Sequence, residues 1–503
     1  MDNKIERRNG TMKKVIAMIA SCTLLLAGCG SASQKDQAQT LNVEIPLKTT
    51  SIAPYDTDVP VKMGAVEALF KAQSNGKVKK ELVKSYHQPS NKELDLTLKG
   101  DIHFQNGKKL TGQKVKESLE ESLDNSGLVK GSLPIKSIEA SGQEVKIHTS
   151  KAYPELVSEL ASPFAGIYDT QAKGNVKKQP VGTGPYQIKH YRQSQSIEAD
   201  RYDHYWKGKP KMQHLKVSYQ EDGDKRTSDL KAGRADVITD VPVEKMDSLK
   251  KDDKTKVSNV SGFRTSLLLY NHTSDKVNKD VREALDRVID RDSITKHIYK
   301  GYAQPATGPF NDKLDYIKDQ EPTTQDIKKA KQLLKDKGYD QHHPLKLKMV
   351  SYDGRPELPK IAQVIESDAK KANIDLDIRN VDDIEGYLKN KKQWDVSMYS
   401  FGTLPRGDTG YFFNQAYMPD GAINKGDYHN QHVVDLIHQL NTTVNTQDRH
   451  QLTDQILKVS DKDQANSYIA YNDTLIAMNH KVKHLQASPE DIYLVDYKVD
   501  KDS

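Results

Sequence analysis

The chain of 503 residues is 35% hydrophobic and carries 76 Lys or Arg against 70 Asp or Glu. At roughly 150 residues per domain, this length corresponds to about three domains. Its apolar content argues against a polytopic membrane protein, and 24 Tyr with periodic apolar runs argue against a disordered chain. Half of the formal net charge of +6 sits in residues 1–28, where five Lys or Arg face two Asp or Glu. The remainder is close to neutral, which argues against a nucleic-acid footprint.

The first element is a leader. Lys13 and Lys14 precede an apolar stretch, Val15 to Ala27, that closes on small residues. A basic start, an apolar core and a small-residue end make a signal peptide, and the stretch is too short for a stable membrane span. Met12 would serve as an alternative start. Leu26-Ala27-Gly28-Cys29 reads as a bacterial lipobox, which predicts cleavage before Cys29 and a lipid on its sulfur. The competing reading is ordinary secretion without a lipid. Residues 29–39 then form a small polar tether. With Cys22 removed in the leader, the mature chain keeps one cysteine, so it has neither a structural disulfide nor a thiolate metal site.

Beyond residue 40 the pattern is mixed α/β. Leu41, Val43 and Ile45 alternate as a strand, Val115, Leu119 and Leu123 mark a helix, and Val145 and Ile147 a short strand. Val281, Ala284, Leu285 and Val288 have helical spacing, as do Ile327, Ala330 and Leu334, with Gly338 as the stop. Leu345, Leu347 and Met349, then Ile361, Val364 and Ile365, then Ile374, Leu376 and Ile378 predict a βαβ unit.

Catalytic and metal signatures are sparse. Gly182-Thr183-Gly184 lacks the third glycine of a dinucleotide loop and reads as a β-turn. Ser293-Ile294-Thr295-Lys296 matches Ser-x-x-Lys, but neither Ser-Asp-Asn nor Lys-Thr-Gly accompanies it. The 16 His are scattered; His429 and His432 are three apart, with no Asp, Glu or Cys set to close a cage. A metal bound here would therefore need a chelator to supply most of its ligands.

Six segments in order carry a resemblance. They are Ile102-His103-Phe104-Gln105-Asn106-Gly107 with Leu110-Thr111 and Val115; Gly182-Thr183-Gly184-Pro185-Tyr186; Tyr202 and Tyr205-Trp206 with Gly208-Lys209-Pro210; Leu230, Gly233 and Asp236; Val281 to Leu285 with Ile289-Asp290-Arg291; and the helix from Asp326 to Gly338. Together they resemble the solute-binding proteins of peptide and nickel ABC importers (family 5), over essentially the whole mature length. The resemblance implies a two-lobed periplasmic-binding-protein-like fold of type II with an extra subdomain. Lobe I would comprise residues 40–63, 180–270 and 480–503, the extra subdomain 64–179 and lobe II 271–479, with hinge crossovers near 270 and 480. It further implies a monomeric, non-enzymatic protein on the outer face of the membrane, closing on its ligand for a permease pair driven by cytoplasmic ATPases.

Ligand choice turns on the segment after Asp395 to Ser400. Phe401-Gly402 keeps the aromatic of the nickel-type members, whereas Pro405-Arg406 replaces their Tyr-Asp, and their arginine before Pro163-Phe164 is absent. Arg406 is the candidate partner for a ligand carboxylate, against the alternative of a solvent-facing loop arginine. Lys130 is the next candidate. Phe401 and Tyr411 would form aromatic walls, joined by Tyr55 and by Tyr270 at the lobe crossover, and His429 would add one imidazole to the metal. The preferred reading is Ni2+ carried as a complex with a small, histidine-like chelator. The alternatives are an oligopeptide-binding protein, a serine hydrolase using Ser293, and an adhesin using Arg406-Gly407-Asp408.

Overall fold

The computed structural model describes residues 39–314, 316–317, 322–489 and 492–502. Cys22 and Cys29, with the whole leader, lie outside them. Among the described residues no helix is long and apolar enough to cross a membrane.

The secondary structure follows the apolar periodicity closely. The βαβ unit is strand Leu345–Tyr352, helix Glu357–Lys371 and strand Ile374–Val381, and the two strands pair in parallel. Helix Lys279–Val288 is capped by the Asn278 side chain, and helix Ile327–Lys335 by that of Asp326. Gly338 has φ +87°, the left-handed conformation that stops a helix.

One eleven-stranded mixed sheet runs through the molecule. At one end Thr40–Ile45 pairs in parallel with His214–Tyr219 and Val237–Thr239. At the other, Leu345–Tyr352 pairs in parallel with Val396–Gly402. Two long antiparallel strands, Thr255–Tyr270 and Asn466–Asn479, join the halves. Their register breaks between Ser261 and Arg264. A bulge of this kind bends a strand and re-aims its side chains. Gly262 permits it: a Cβ there would lie 2.7 Å from the Asn472 carbonyl oxygen.

The cores are separate on the two sides of this bulge. Leu41, Val43, Val217 and Val237 pack with Ile476 and Met478, whereas Leu268 and Tyr270 pack with Ile469, Leu347 and Val396. A third core fills an antiparallel four-stranded sheet, ordered Val83–Ser90, Glu93–Leu98, Glu144–Thr149 and Ile135–Ser141, under helix Gly112–Asn125.

The Gly182 to Tyr186 segment is not the β-turn that its composition suggests. It lies pressed along residues 64–66, where a Cβ on Gly182 would sit 2.3 Å from the Ala65 carbonyl oxygen. Gln105 pins it there, donating from Nε2 to the carbonyls of Ala65, Gly184 and Tyr186. Trp206 Nε1 donates to Glu67 at 2.9 Å, and Asp236 accepts from the Asn42 backbone at 2.8 Å. These motif residues hold the fold.

Candidate functional site

The carboxyl ends of Val237–Thr239 on one side and of Leu345–Tyr352 and Val396–Gly402 on the other converge on the strand crossing. In open α/β sheets this is where ligands bind. Arg264, the first paired residue after the bulge, stands opposite both Gly402 and Asn472. Its side chain makes one hydrogen bond among the described residues, from Nη1 to the Ser400 carbonyl at 3.3 Å. Burial, and then the like charge of Arg355, push its guanidinium down to about 10, so it stays charged at neutral pH. Asp240 and Glu357 attract it, but among the described residues no carboxylate reaches ion-pair distance of Arg264 or Arg355. Two cations thus share a partly buried region, neither of them in an ion pair among the described residues. The hydroxyls of Ser351 and Ser400 are buried and have no partner among the described residues.

Aromatic rings lie near Arg264. Tyr352 and Tyr399 lie 6.2 Å apart and tilted, and the Tyr399 hydroxyl donates to Glu385. Phe401 and Tyr411 stack at 5.8 Å with an interplanar angle of 6°. Arg264 is one of the charges that act on the Tyr352, Tyr399 and Tyr411 phenols.

Arg406 sits 4.9 Å above the Tyr411 ring, and its guanidinium is already engaged. Nε and Nη2 donate to Glu159 Oε1 at 3.0 and 2.7 Å, with side-chain exposures of 11% and 5%. Arg449 beside it binds Glu155 at 3.0 Å and both oxygens of Asp408 at 2.8 Å. These ion pairs tie the four-stranded subdomain to the half of the molecule that carries the βαβ unit. Further round, Lys360 on helix Glu357–Lys371 reaches Glu244 on helix Val243–Lys250 at 2.5 Å. The structure therefore describes the two sides in contact across the cleft.

Of the residues singled out in the sequence, Phe401, Arg406 and Tyr411 come together here. Arg406 is not a free cation in water: a carboxylate of the protein itself takes its fork. Tyr55 lies elsewhere, buried against Tyr168 at 6.2 Å in the subdomain core. Tyr270 is also remote, 1% exposed, its hydroxyl bonded to Ser467 and to the Arg282 carbonyl. His429 and Lys130 are exposed. No group of three His, Cys, Asp or Glu that could hold a metal ion occurs among the described residues. Arg406-Gly407-Asp408 is not an exposed adhesive tip. Gly407 has φ +77°, and a Cβ on it would lie 1.6 Å from the Gly76 carbonyl oxygen. Ser293 donates its backbone N–H to the capping Asp290 side chain of a short helical segment, and Lys296 is exposed. Arg264 and Arg355 were missed by sequence reasoning. The available signals were a cation beside a glycine inside a strand, and Gly354-Arg355-Pro356 at a strand-to-helix turn.

The family model described as bacterial extracellular solute-binding proteins, family 5 middle, matches residues 77–424. The chain belongs to this family. It is 60% identical over 487 residues to the nickel-binding protein NikA of Staphylococcus aureus, covering 96% of this chain and 98% of that protein. It is 25% identical over 451 residues to the glutathione-binding protein GsiB of Escherichia coli K12, covering 84% and 86%. Among solved structures, S. aureus NikA in complex with Ni(L-His)2 superposes with a TM-score of 0.80, covering 92% of this chain and 100% of that one. A nickel ABC transporter protein of Bacillus halodurans, 32% identical, gives 0.82 with 92% and 99% covered. The two-lobed, type II architecture of this family is thus the fold of the chain.

Proposed function

We propose that this protein is the extracytoplasmic solute-binding component of an ABC importer, capturing nickel as a complex with a histidine-like chelator and passing it to a membrane permease with its ATPases. The observation that carries the reading is the pair of guanidiniums, Arg264 and Arg355, that form no ion pair among the described residues and lie near tyrosines at the strand crossing. A chelate brings its own metal donors and its own carboxylates, so the site needs cations and flat walls rather than a metal cage. The likeness to NikA with Ni(L-His)2 supports the same cargo. Capture requires binding and release without covalent chemistry, so the protein is a carrier and not an enzyme.

In this reading lobe I, the subdomain and lobe II keep the partition stated above, with two changes. Phe263 to Tyr270 pack with the βαβ half, and Ile476 and Met478 pack with the half that holds Thr40–Ile45, which supports hinge crossings beside the bulge rather than near 270 and 480. Ligand closes the hinge by its greater affinity for the closed form.

Calorimetry tests the cargo. Nickel chloride alone should give little heat, and nickel with free histidine a saturable binding curve. Tight binding of bare nickel, or of unmodified tri- to pentapeptides, would overturn the reading. Anchoring is proposed on the lipobox at Cys29. Cys29→Ala should release the protein into the medium with cargo affinity intact; full retention in the membrane fraction would reject the anchor.

A further inference from the structure

We infer that the protein has a second binding site, remote from the strand crossing, for a small organic anion with a flat apolar body. The site is a cavity of ≈580 Å3 lined by residues between 61 and 81, by Tyr205 and Lys207, by His484 and Gln486, and by residues 493–498. Among the described residues none of the βαβ half lines it. Its volume is within the range of small-molecule pockets, about 300–1,000 Å3.

Charge selects the ligand class. Among the described residues five lysines and three carboxylates line the cavity. Two of those carboxylates are already satisfied. Glu67, at the buried floor, accepts from Thr183 at 2.9 Å, Tyr205 at 2.6 Å and Trp206 at 2.9 Å. Lys207 bridges Glu67 and Glu81. Lys71, on strand Phe70–Ala72, has no such partner. Its ammonium lies 4.2 Å from the centre of the Tyr493 ring, and no carboxylate of the described residues is within ion-pair distance. Burial depresses its pKa, so its charge lacks full solvation in the empty site. An arriving carboxylate would supply the missing counter-charge.

Shape completes the description. Tyr205 and Tyr497 pack at 5.6 Å between ring centroids, tilted by 56°, and Phe70 and Val495 add apolar wall. A carboxylate on a planar apolar group fits one cation beside aromatic faces. A metal cation would meet an excess of positive charge here. The inference does not depend on the nature of the cargo at the strand crossing.

Benzoate is the probe, with neutral benzamide as its isosteric control, titrated by calorimetry into the full protein saturated with nickel and histidine. Benzoate should bind at one site per chain, at least tenfold tighter than benzamide. Lys71→Met should reduce benzoate affinity at least tenfold and Lys71→Arg should retain most of it, while both keep the wild-type affinity for nickel with histidine and an unchanged melting temperature. Absence of saturable benzoate binding would overturn the inference. So would equal affinity in Lys71→Met, or loss of benzoate binding in Arg264→Ala with Lys71 intact.

Discussion

Arg264→Ala is expected to weaken binding of the nickel–histidine complex by at least tenfold while leaving the ligand-free protein as stable as before, or slightly more so. The two halves of this expectation have one cause. In the empty site Arg264 has a single long hydrogen bond, a desolvated charge and a like-charged neighbour in Arg355. Removing it relieves repulsion and breaks no ion pair. With a chelate bound, its guanidinium would face a carboxylate in a closed cleft. Truncating one partner of a buried hydrogen-bonded charge pair costs on the order of 2–5 kcal/mol, and about 1.4 kcal/mol is one decade of affinity. Arg264→Lys should recover only part of the loss, because an ammonium cannot form two parallel bonds to one carboxylate. Calorimetry with nickel and histidine, paired with thermal melting without them, reads both halves. Unchanged affinity would move the carboxylate partner away from the bulge.

The fold was legible because its signals are local. Alternation and helical spacing placed the βαβ unit, and Asn278 and Asp326 stood where the helices start. The hinge was less legible. Thr255–Tyr270 is buried on both faces beyond the bulge: Phe263, Leu267 and Leu269 belong to one core, Leu268 and Tyr270 to another. A strand covered on both faces reads as a continuous apolar run, and parity then cannot say which side meets a cleft. Tyr270 was expected at the ligand because the resemblance puts it at the lobe crossover, whereas its phenol closes on Ser467 inside the core.

The site divided along the same line. Phe401, Arg406 and Tyr411 are near one another in sequence, and a short strand-to-helix connection brings them together. The partners that decide their roles are distant in sequence. Glu159 stands 247 residues before Arg406, and Arg264 owes its position to a bulge created by pairing with a strand some 200 residues away. Spacing along the chain carries no information about such encounters. Tyr55 shows the reverse error, since a phenol near the end of the first strand was available in sequence but is consumed by packing on Tyr168.

Arg406→Ala should destabilise the closed protein and weaken cargo binding together, because Arg406 pairs with Glu159 rather than waiting for a ligand. Burial pushes the Glu159 carboxyl up, and the Arg406 guanidinium pulls it back. Its second oxygen, Oε2, is buried without a partner among the described residues, so it depends heavily on this one pair. Removing one member of a buried ion pair strands the other and costs about 3–5 kcal/mol, whereas replacing both by apolar groups is often nearly neutral. The pair joins the subdomain to lobe II, so this cost falls on the closed form that holds cargo. Arg406→Ala should therefore lower the melting temperature and the affinity, the latter by tenfold or more. The double variant Arg406→Met with Glu159→Leu should restore most of both. A direct clamp on a ligand carboxylate behaves otherwise: stability would be unaffected by Arg406→Ala, and the double variant would bind no better than the single one. Melting curves and nickel–histidine calorimetry on the three proteins separate the two cases, and failure of the double variant to recover affinity would return Arg406 to the ligand.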